Sequence, residues 1–249
     1  MSKNSVELID YMGSDKLHSL AAWSSTFLEF GVDMPENPHL RVDELVDHIL
    51  NNGKKKRSVE DLLNYLAENS HSSPFRFSSF VFGMTTDICT HYQKLKHRVI
   101  LEAENGESGR YKELKEDKGY IPESWYDIKV DHTVMTPLSY IASYGSKNWG
   151  EALENHTNNG NALYHEAIKQ LTPKLGKQRA KETARYFKGL NSQLNTLNKF
   201  SFDGLIQFHR KRFDGAAQEE IAQIAGQMVD LVRGLPNNPF EYSLKAFGL

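Results

Sequence analysis

The chain has 249 residues, enough to bury a sizeable core as one domain or two small ones, and one domain is the better reading at this length. Its 30 Lys and Arg nearly balance 32 Asp and Glu, so it lacks the global basic field that holds a nucleic-acid backbone, and no nucleic-acid partner is expected. No apolar run approaches the roughly 20 residues of a membrane span. Residues 1–10 lack a charged-then-apolar leader, and Cys89, the one cysteine, cannot close an internal disulfide, so a cytoplasmic protein in a reducing setting is expected.

Residues 6–12 are short and mixed apolar, end at Gly13 and read as a strand closed by a turn. Ser14 and Asp15 offer an N-cap for a helix with Leu17, Leu20, Ala21, Ser24 and Phe27 on one face. Two amphipathic helices follow, on Val42, Leu45, Val46, Ile49 and on Val59, Leu62, Leu63, Leu66, each at i, i+3, i+4, i+7. Between them lie the turn at Asn51, Asn52 and Gly53 and the charge run Lys54, Lys55, Lys56, Arg57, a solvated loop or, alternatively, a phosphate or partner contact.

Residues 75–84 alternate aromatic and small side chains and read as a strand with one buried face, followed by a helix over 87–98. Residues 99–111 carry Gly106 and Gly109 and read as an irregular loop. Beyond Pro122 and Pro137 the pattern is helical over 149–171 and, past Pro173, over 177–190. Leu194, Leu197 and Phe200 mark a strand or extended loop. Helices over 204–213 and 216–232, then Pro236 and Pro239 before a short last helix, complete an α+β fold in which strands are the minority.

Most motifs of familiar chemistry are missing: no phosphate loop, no G-x-G-x-x-G, no H-E-x-x-H and no paired C-x-x-C. His91 and His97 would stand roughly 240° apart around a helix, which makes them poor joint metal ligands, and no metal is expected. What remains is Gln93, Lys94, Lys96, His97 and Arg98, followed by Ser108, Gly109, Arg110 and Tyr111. Cations at a helix end and a glycine-bearing turn with a hydroxyl and an arginine supply charge-assisted donors for a phosphate; the same residues also make an ordinary surface charge cluster.

The ordered motifs resemble the flavin-dependent thymidylate synthases, whose signature is Arg-His-Arg, seven residues, then Ser continuing into Ser-x-Arg-Tyr. Here Lys96, His97 and Arg98 precede Ser108, Gly109, Arg110 and Tyr111 with nine residues between. Residues 6–13 look like the family's opening strand, His71, Ser72, Ser73, Pro74 and Phe75 like its His-x-x-Pro-Phe turn, and Ala184, Arg185, residues 205–208, Arg212 and Asp214 like its late arginine segments. The resemblance spans most of the chain as a single domain, 1–249, with a small antiparallel sheet, long helices and a helical insertion around 36–58.

That resemblance implies an enzyme that transfers a one-carbon group to C5 of dUMP or of a relative such as dCMP. It implies FAD, methylenetetrahydrofolate and NADPH, and a homotetramer with active sites shared between chains. Gln93, Ser108, Gly109, Arg110, Arg185 and Arg212 fall on positions that hold dUMP; Arg212 would steady charge developing on the ring, and Ser108 would position the nucleotide. Ser73, Lys96, His97 and Arg98 fall on the flavin side. Departures gather there: Lys96 replaces an arginine, Arg76 an acidic residue and Phe77 a histidine, and an ungapped alignment puts Ser201, Asp203, Gln207 and Ala216 where the family has Asn, Arg, Asn and His. The reversal at Asp203 is expected to repel an anionic cofactor. Loss of these contacts leaves a flavin-independent pyrimidine-nucleotide enzyme, or a non-catalytic nucleotide binder, as the alternatives. The two extra residues before Ser108 leave Gly106, with Glu107 beside it, opposite a family glutamate.

Overall fold

The computed structural model describes residues 3–24, 38–51, 57–97, 99–136, 139, 145–213 and 215–249, with no side-chain detail for 38–40. Its elements in order are β1 (Ser5–Met12), α1 (Asp15–Ser24), α2 (Pro38–Asn51), α3 (Val59–Glu68), β2 (Ser79–Asp87), α4 (Ile88–Leu95), β3 (Leu101–Gly106), α5 (Trp149–Leu175), α6 (Lys177–Ala184), β4 (Gln193–Ser201), α7 (Phe202–Arg212), α8 (Glu219–Arg233) and α9 (Glu241–Ala246). The four strands form one small antiparallel sheet in the order β1-β2-β4-β3, giving the α+β architecture. The chain divides into two compact units, one of Met1–Ser5, Met84–Lys94 and Asn105–Thr196, the other of Val6–Gly83, Leu95–Glu104 and Leu197–Leu249.

In the second unit local signals set the element ends. Gly13 has φ +111, and a Cβ there would stand 2.4 Å from Ser78 Cβ, so the turn after β1 admits only glycine. Ser14 Oγ accepts from Leu17 N at 3.2 Å and starts α1. Ser58 Oγ accepts from Asp61 N at 3.1 Å, and Leu62 and Leu63, four and three residues before Leu66, turn one face of α3 inward with it. The core is aromatic: Phe75, Phe80, Phe82, Phe200, Phe202, Phe208 and Phe240 are fully buried, with Ile221, Ile224, Met228 and Val232 of α8.

Among these rings sits His18, also fully buried, edge-on to Phe75 and Phe202 at 5.1 and 5.2 Å. Its Nδ1 meets Ser243 Oγ at 2.8 Å and its Nε2 meets Ser78 Oγ at 2.7 Å. A neutral imidazole has one donor and one acceptor, so one serine donates to it and the other accepts. Burial pushes its pKa from 6.5 down to about 3.

In the first unit, α5 runs beyond the expected stop at Pro173 to Leu175, because a proline in the last turn removes only one helical bond and Gly176 N closes the end on Thr172 O at 2.9 Å. Tyr164, fully buried, packs with Ile168 and Ala184, and its hydroxyl accepts from Leu114 N at 3.0 Å. Lys188 lies over the Tyr164 ring and donates to Asp117 and Asn161 at 2.9 and 2.7 Å; His165 bridges Glu113 and Asp117. Burial alone would raise the Asp117 carboxyl, but Lys188 and His165 outweigh it and hold the pKa low. These bonds pin the chain between Tyr111 and Tyr120 onto α5.

Several local expectations are corrected. Phe75 and Phe77 belong to a 3-10 turn, Ser73–Phe77, because Pro74 lacks a ladder donor; the strand starts at Ser79. The stretch read as an irregular loop holds β3, an edge strand with mostly exposed side chains whose partner, β4, is far along the chain. The helix after Lys177 ends at Ala184, not 190, and passes into a 3-10 turn, Arg185–Phe187. Phe27, Lys54, Lys55, Lys56, Arg98 and Asp214 lie outside the described residues, as do the flanks of α2 in the 36–58 segment. Arg57, the described member of the charge run, stacks over the Tyr65 ring at 3.7 Å.

Candidate functional site

The first unit gathers a cationic cluster where β3 ends. Glu107 N donates to Asn195 O at 2.9 Å, and Asn195 N donates back to the Glu107 carboxylate at 2.9 Å, so the chain leaves the sheet edge at a fixed point. Ser108 O then accepts from Tyr111 N and Lys112 N at 3.0 and 3.1 Å, and Ser108 Oγ accepts from Arg110 N at 3.3 Å. The result is a tight turn, stiffened by its own hydroxyl.

Arg185, just past the end of α6, lies against this turn: a Cβ on Gly109 would stand 2.7 Å from Arg185 Cδ. Arg110 Nε donates to Glu182 Oε1 at 2.7 Å, and Arg185 Nε donates to Glu182 O at 3.1 Å. Each guanidinium is therefore held by its inner nitrogen, and no described residue takes up the outer nitrogens. Those outer nitrogens form the planar fork that matches carboxylate and phosphate oxygens. Arg110 and Arg185, distant in sequence, thus meet around one glutamate, beside the turn of Ser108 and Gly109. Gln93 belongs to the same unit, half-buried on α4 beside the buried Lys94, whose Nζ donates to Thr196 Oγ1 at 3.1 Å.

In the second unit Arg212 ends α7 and donates from Nε to His97 Nε2 at 2.7 Å. An acceptor Nε2 requires the neutral tautomer protonated at Nδ1. Burial first, then Arg212 and Lys211, lower the His97 pKa, and the ring stands edge-on to Phe208 at 5.2 Å. Lys96 and Ser73 of the same unit are exposed. Ser201 caps α7 by accepting from Gly204 N at 3.2 Å, and Ala216 is exposed.

The expectation that Asp203 repels an anionic cofactor is corrected. The residue is only 4% exposed, and a buried charge persists only when paired. Arg76 Nε lies 3.4 Å from Asp203 Oδ2, and Gln207 Nε2 donates to the same oxygen at 2.9 Å. The acid expected at 76 and the arginine expected at 203 have exchanged places and meet. Paired in this way, Asp203 does not stand as a lone anion, and Ser73, Arg76 and Lys96 of this unit are exposed groups of the donor type that an anionic cofactor such as FAD would need.

Glu182 carries no motif; its one signal in the sequence is a spacing of three from both Arg179 and Arg185. Among the described residues no group of three or more His, Cys, Asp or Glu side chains is arranged to hold a metal ion, and no helix is long and apolar enough to cross a membrane.

Comparison with known proteins matches residues 7–236 to the family described as thymidylate synthase complementing protein. A flavin-dependent thymidylate synthase of Ehrlichia ruminantium (strain Gardel) is 27% identical over 251 residues, covering 94% of this chain and 68% of that one. The enzyme of the same name from Rickettsia typhi is 28% identical over 207 residues, covering 76% and 65%. Among solved structures, the UMP/dUMP methylase PolB from Streptomyces cacaoi, bound with 5-Br dUMP, superposes with a TM-score of 0.65 at 20% identity, covering 100% of this chain and 96% of that one. At that identity the likeness establishes a common fold.

Proposed function

Because the chain belongs to the thymidylate synthase complementing protein family, we propose that it is a methyltransferase that installs a one-carbon group at C5 of dUMP, with FAD as cofactor and methylenetetrahydrofolate and NADPH as co-substrates. The observation that carries this reading is the pair of Nε-tethered arginines, Arg110 and Arg185, beside the Ser108 turn. Their outer nitrogens would take the nucleotide phosphate, Ser108 and Gly109 would offer backbone and hydroxyl groups at the turn, and Gln93 would also hold dUMP.

Arg212, steadied by His97, would hold its positive charge at a pyrimidine carbonyl and stabilise the negative charge that develops on the ring when C6 is attacked. Ser73, Lys96, His97, Arg98 and Arg76 would hold FAD, with Asp203 kept from opposing it by its pair with Arg76. FAD, when bound, supplies the reducing equivalents of the transfer. By resemblance the working form is a cytoplasmic homotetramer.

The reading is tested by incubating purified protein with dUMP, FAD, methylenetetrahydrofolate and NADPH and assaying dTMP. Yellow absorbance of bound flavin and dTMP formation support it. Colourless protein that binds dUMP, takes up no added FAD and forms no dTMP contradicts it. The neighbour's name pairs UMP with dUMP, so UMP and dCMP run beside dUMP define the accepted base and sugar.

Two substitutions address the phosphate contacts. Arg185→Ala is expected to weaken dUMP binding about tenfold or more, the worth of one charge-assisted bond, measured by calorimetric titration. Gly109→Ala, whose Cβ would push on Arg185 Cδ, should weaken dUMP binding to a smaller degree by displacing the guanidinium, with thermal stability as the control.

A further inference from the structure

We propose that Glu182 is a positioning residue that presents Arg110 and Arg185 together to the phosphate of the nucleotide. This inference rests on the function proposed above. Glu182 sits in the last turn of α6, three residues before Arg185, with its side chain 16% exposed, whereas that of Arg110 is 55% exposed. Its Oε1 takes Arg110 Nε at 2.7 Å, its Oε2 takes Arg179 Nη1 at 3.3 Å, and its main-chain carbonyl takes Arg185 Nε at 3.1 Å.

One residue thus touches three guanidinium groups, holding Arg110 and Arg179 by its side chain and Arg185 by its backbone. An arginine has several rotatable bonds, and ordering it on a ligand costs conformational entropy. A tether at Nε removes much of that freedom beforehand while leaving both outer nitrogens for the ligand. The carboxylate also offsets the repulsion between neighbouring cations that would otherwise spread them apart before an anion arrives. The Arg110 hydrogen bond, against a smaller opposing effect of burial, holds the Glu182 carboxyl below the usual carboxylate range, so it stays charged at neutral pH.

The opposite role is physically clear. A carboxylate that merely occupied the arginines would compete with phosphate, and its removal would tighten binding. Glu182→Ala, which releases Arg110 while keeping the main-chain carbonyl that holds Arg185, is therefore assayed with dUMP and with deoxyuridine, which lacks the phosphate. The expected result is about tenfold weaker dUMP binding with deoxyuridine affinity unchanged, and recovery of most of the loss in Glu182→Gln, which keeps an acceptor oxygen for Arg110 Nε.

Should the alanine variant melt too low to assay, Glu182→Asp withdraws the oxygens while keeping the charge, and the same phosphate-dependent loss is expected. Unchanged or tighter dUMP binding, or equal losses for dUMP and deoxyuridine, overturns the proposal. Arg110→Ala and Arg185→Ala run in parallel separate the two levels. If both arginine variants lose dUMP affinity and Glu182→Ala does not, the positioning role alone fails. If the arginine variants also bind dUMP normally, the phosphate assignment fails with it.

Discussion

Arg212→Ala is expected to lower release of the C5 hydrogen from labelled dUMP by about 100- to 1,000-fold, the usual cost of removing one preorganised donor from a developing anion. The reason is local. Arg212 ends α7 in a run of basic residues, and its Nε bond to His97 at 2.7 Å fixes the guanidinium plane. An arginine fixed before the reaction needs no reorganisation when charge appears on the ring. Arg212→Lys should recover little, since an ammonium cannot keep both the bond to His97 and a forked contact to a carbonyl. Substrate affinity should fall much less than turnover, which separates transition-state stabilisation from simple binding.

His97 adds a pH dependence of known sign. Its lowered pKa keeps it neutral near pH 7, where Nε2 can accept from Arg212. Protonation turns that acceptor into a donor and breaks the bond, so turnover should fall on the acid side, and His97→Gln, with an amide oxygen as acceptor, should flatten that limb. An acid limb identical in the variant contradicts the tether.

The second large effect is on stability, through His18. Its pKa in the folded protein is about 3 against 6.5 when free, so between those values the unfolded chain binds a proton that the native protein refuses. Stability is then fully present above pH 6.5 and declines by about 1.4 kcal/mol per pH unit below it. The lowered pKa values of His97 and His209 act in the same direction. Asp15, raised by burial beside the same core, acts oppositely at lower pH, so the window just below 6.5 is the cleanest.

His18→Phe should be destabilised at pH 7 by roughly 1–3 kcal/mol for each serine hydroxyl left without its partner. Its deficit relative to the natural chain should shrink as pH falls toward 4. Urea midpoints measured from pH 7.5 to 4 give both numbers; a constant difference across that range contradicts the neutral buried imidazole.

Where a feature depends on neighbours in the chain, its residues reveal it. The turn at Gly13, the serine cap of α1 and the apolar faces of α2 and α3 follow from spacing and composition alone. β3 was hidden because an exposed edge strand has almost no apolar alternation; its identity comes from pairing with β4. The Ser73–Phe77 turn was masked by aromatic alternation that suits a strand until Pro74 is weighed as a missing donor.

At the site the contrast is the same. Ser108, Gly109, Arg110, Arg185 and Arg212 enter the proposed site through the resemblance. Arg76 and Asp203, read one at a time, looked like two losses of function; their 3.4 Å separation makes them one exchanged pair. Glu182 was invisible because its part in the proposed site lies in its contact with Arg110, and contact across about seventy residues leaves no local mark.

The most direct measurement is a crystal structure with dUMP bound. The phosphate should lie within hydrogen-bond distance of the outer nitrogens of Arg110 and Arg185 and of the turn at Ser108, whether these come from one copy of the chain or two. A dUMP molecule ordered elsewhere, with both arginines still turned only to Glu182, would contradict the phosphate site and with it the proposed chemistry.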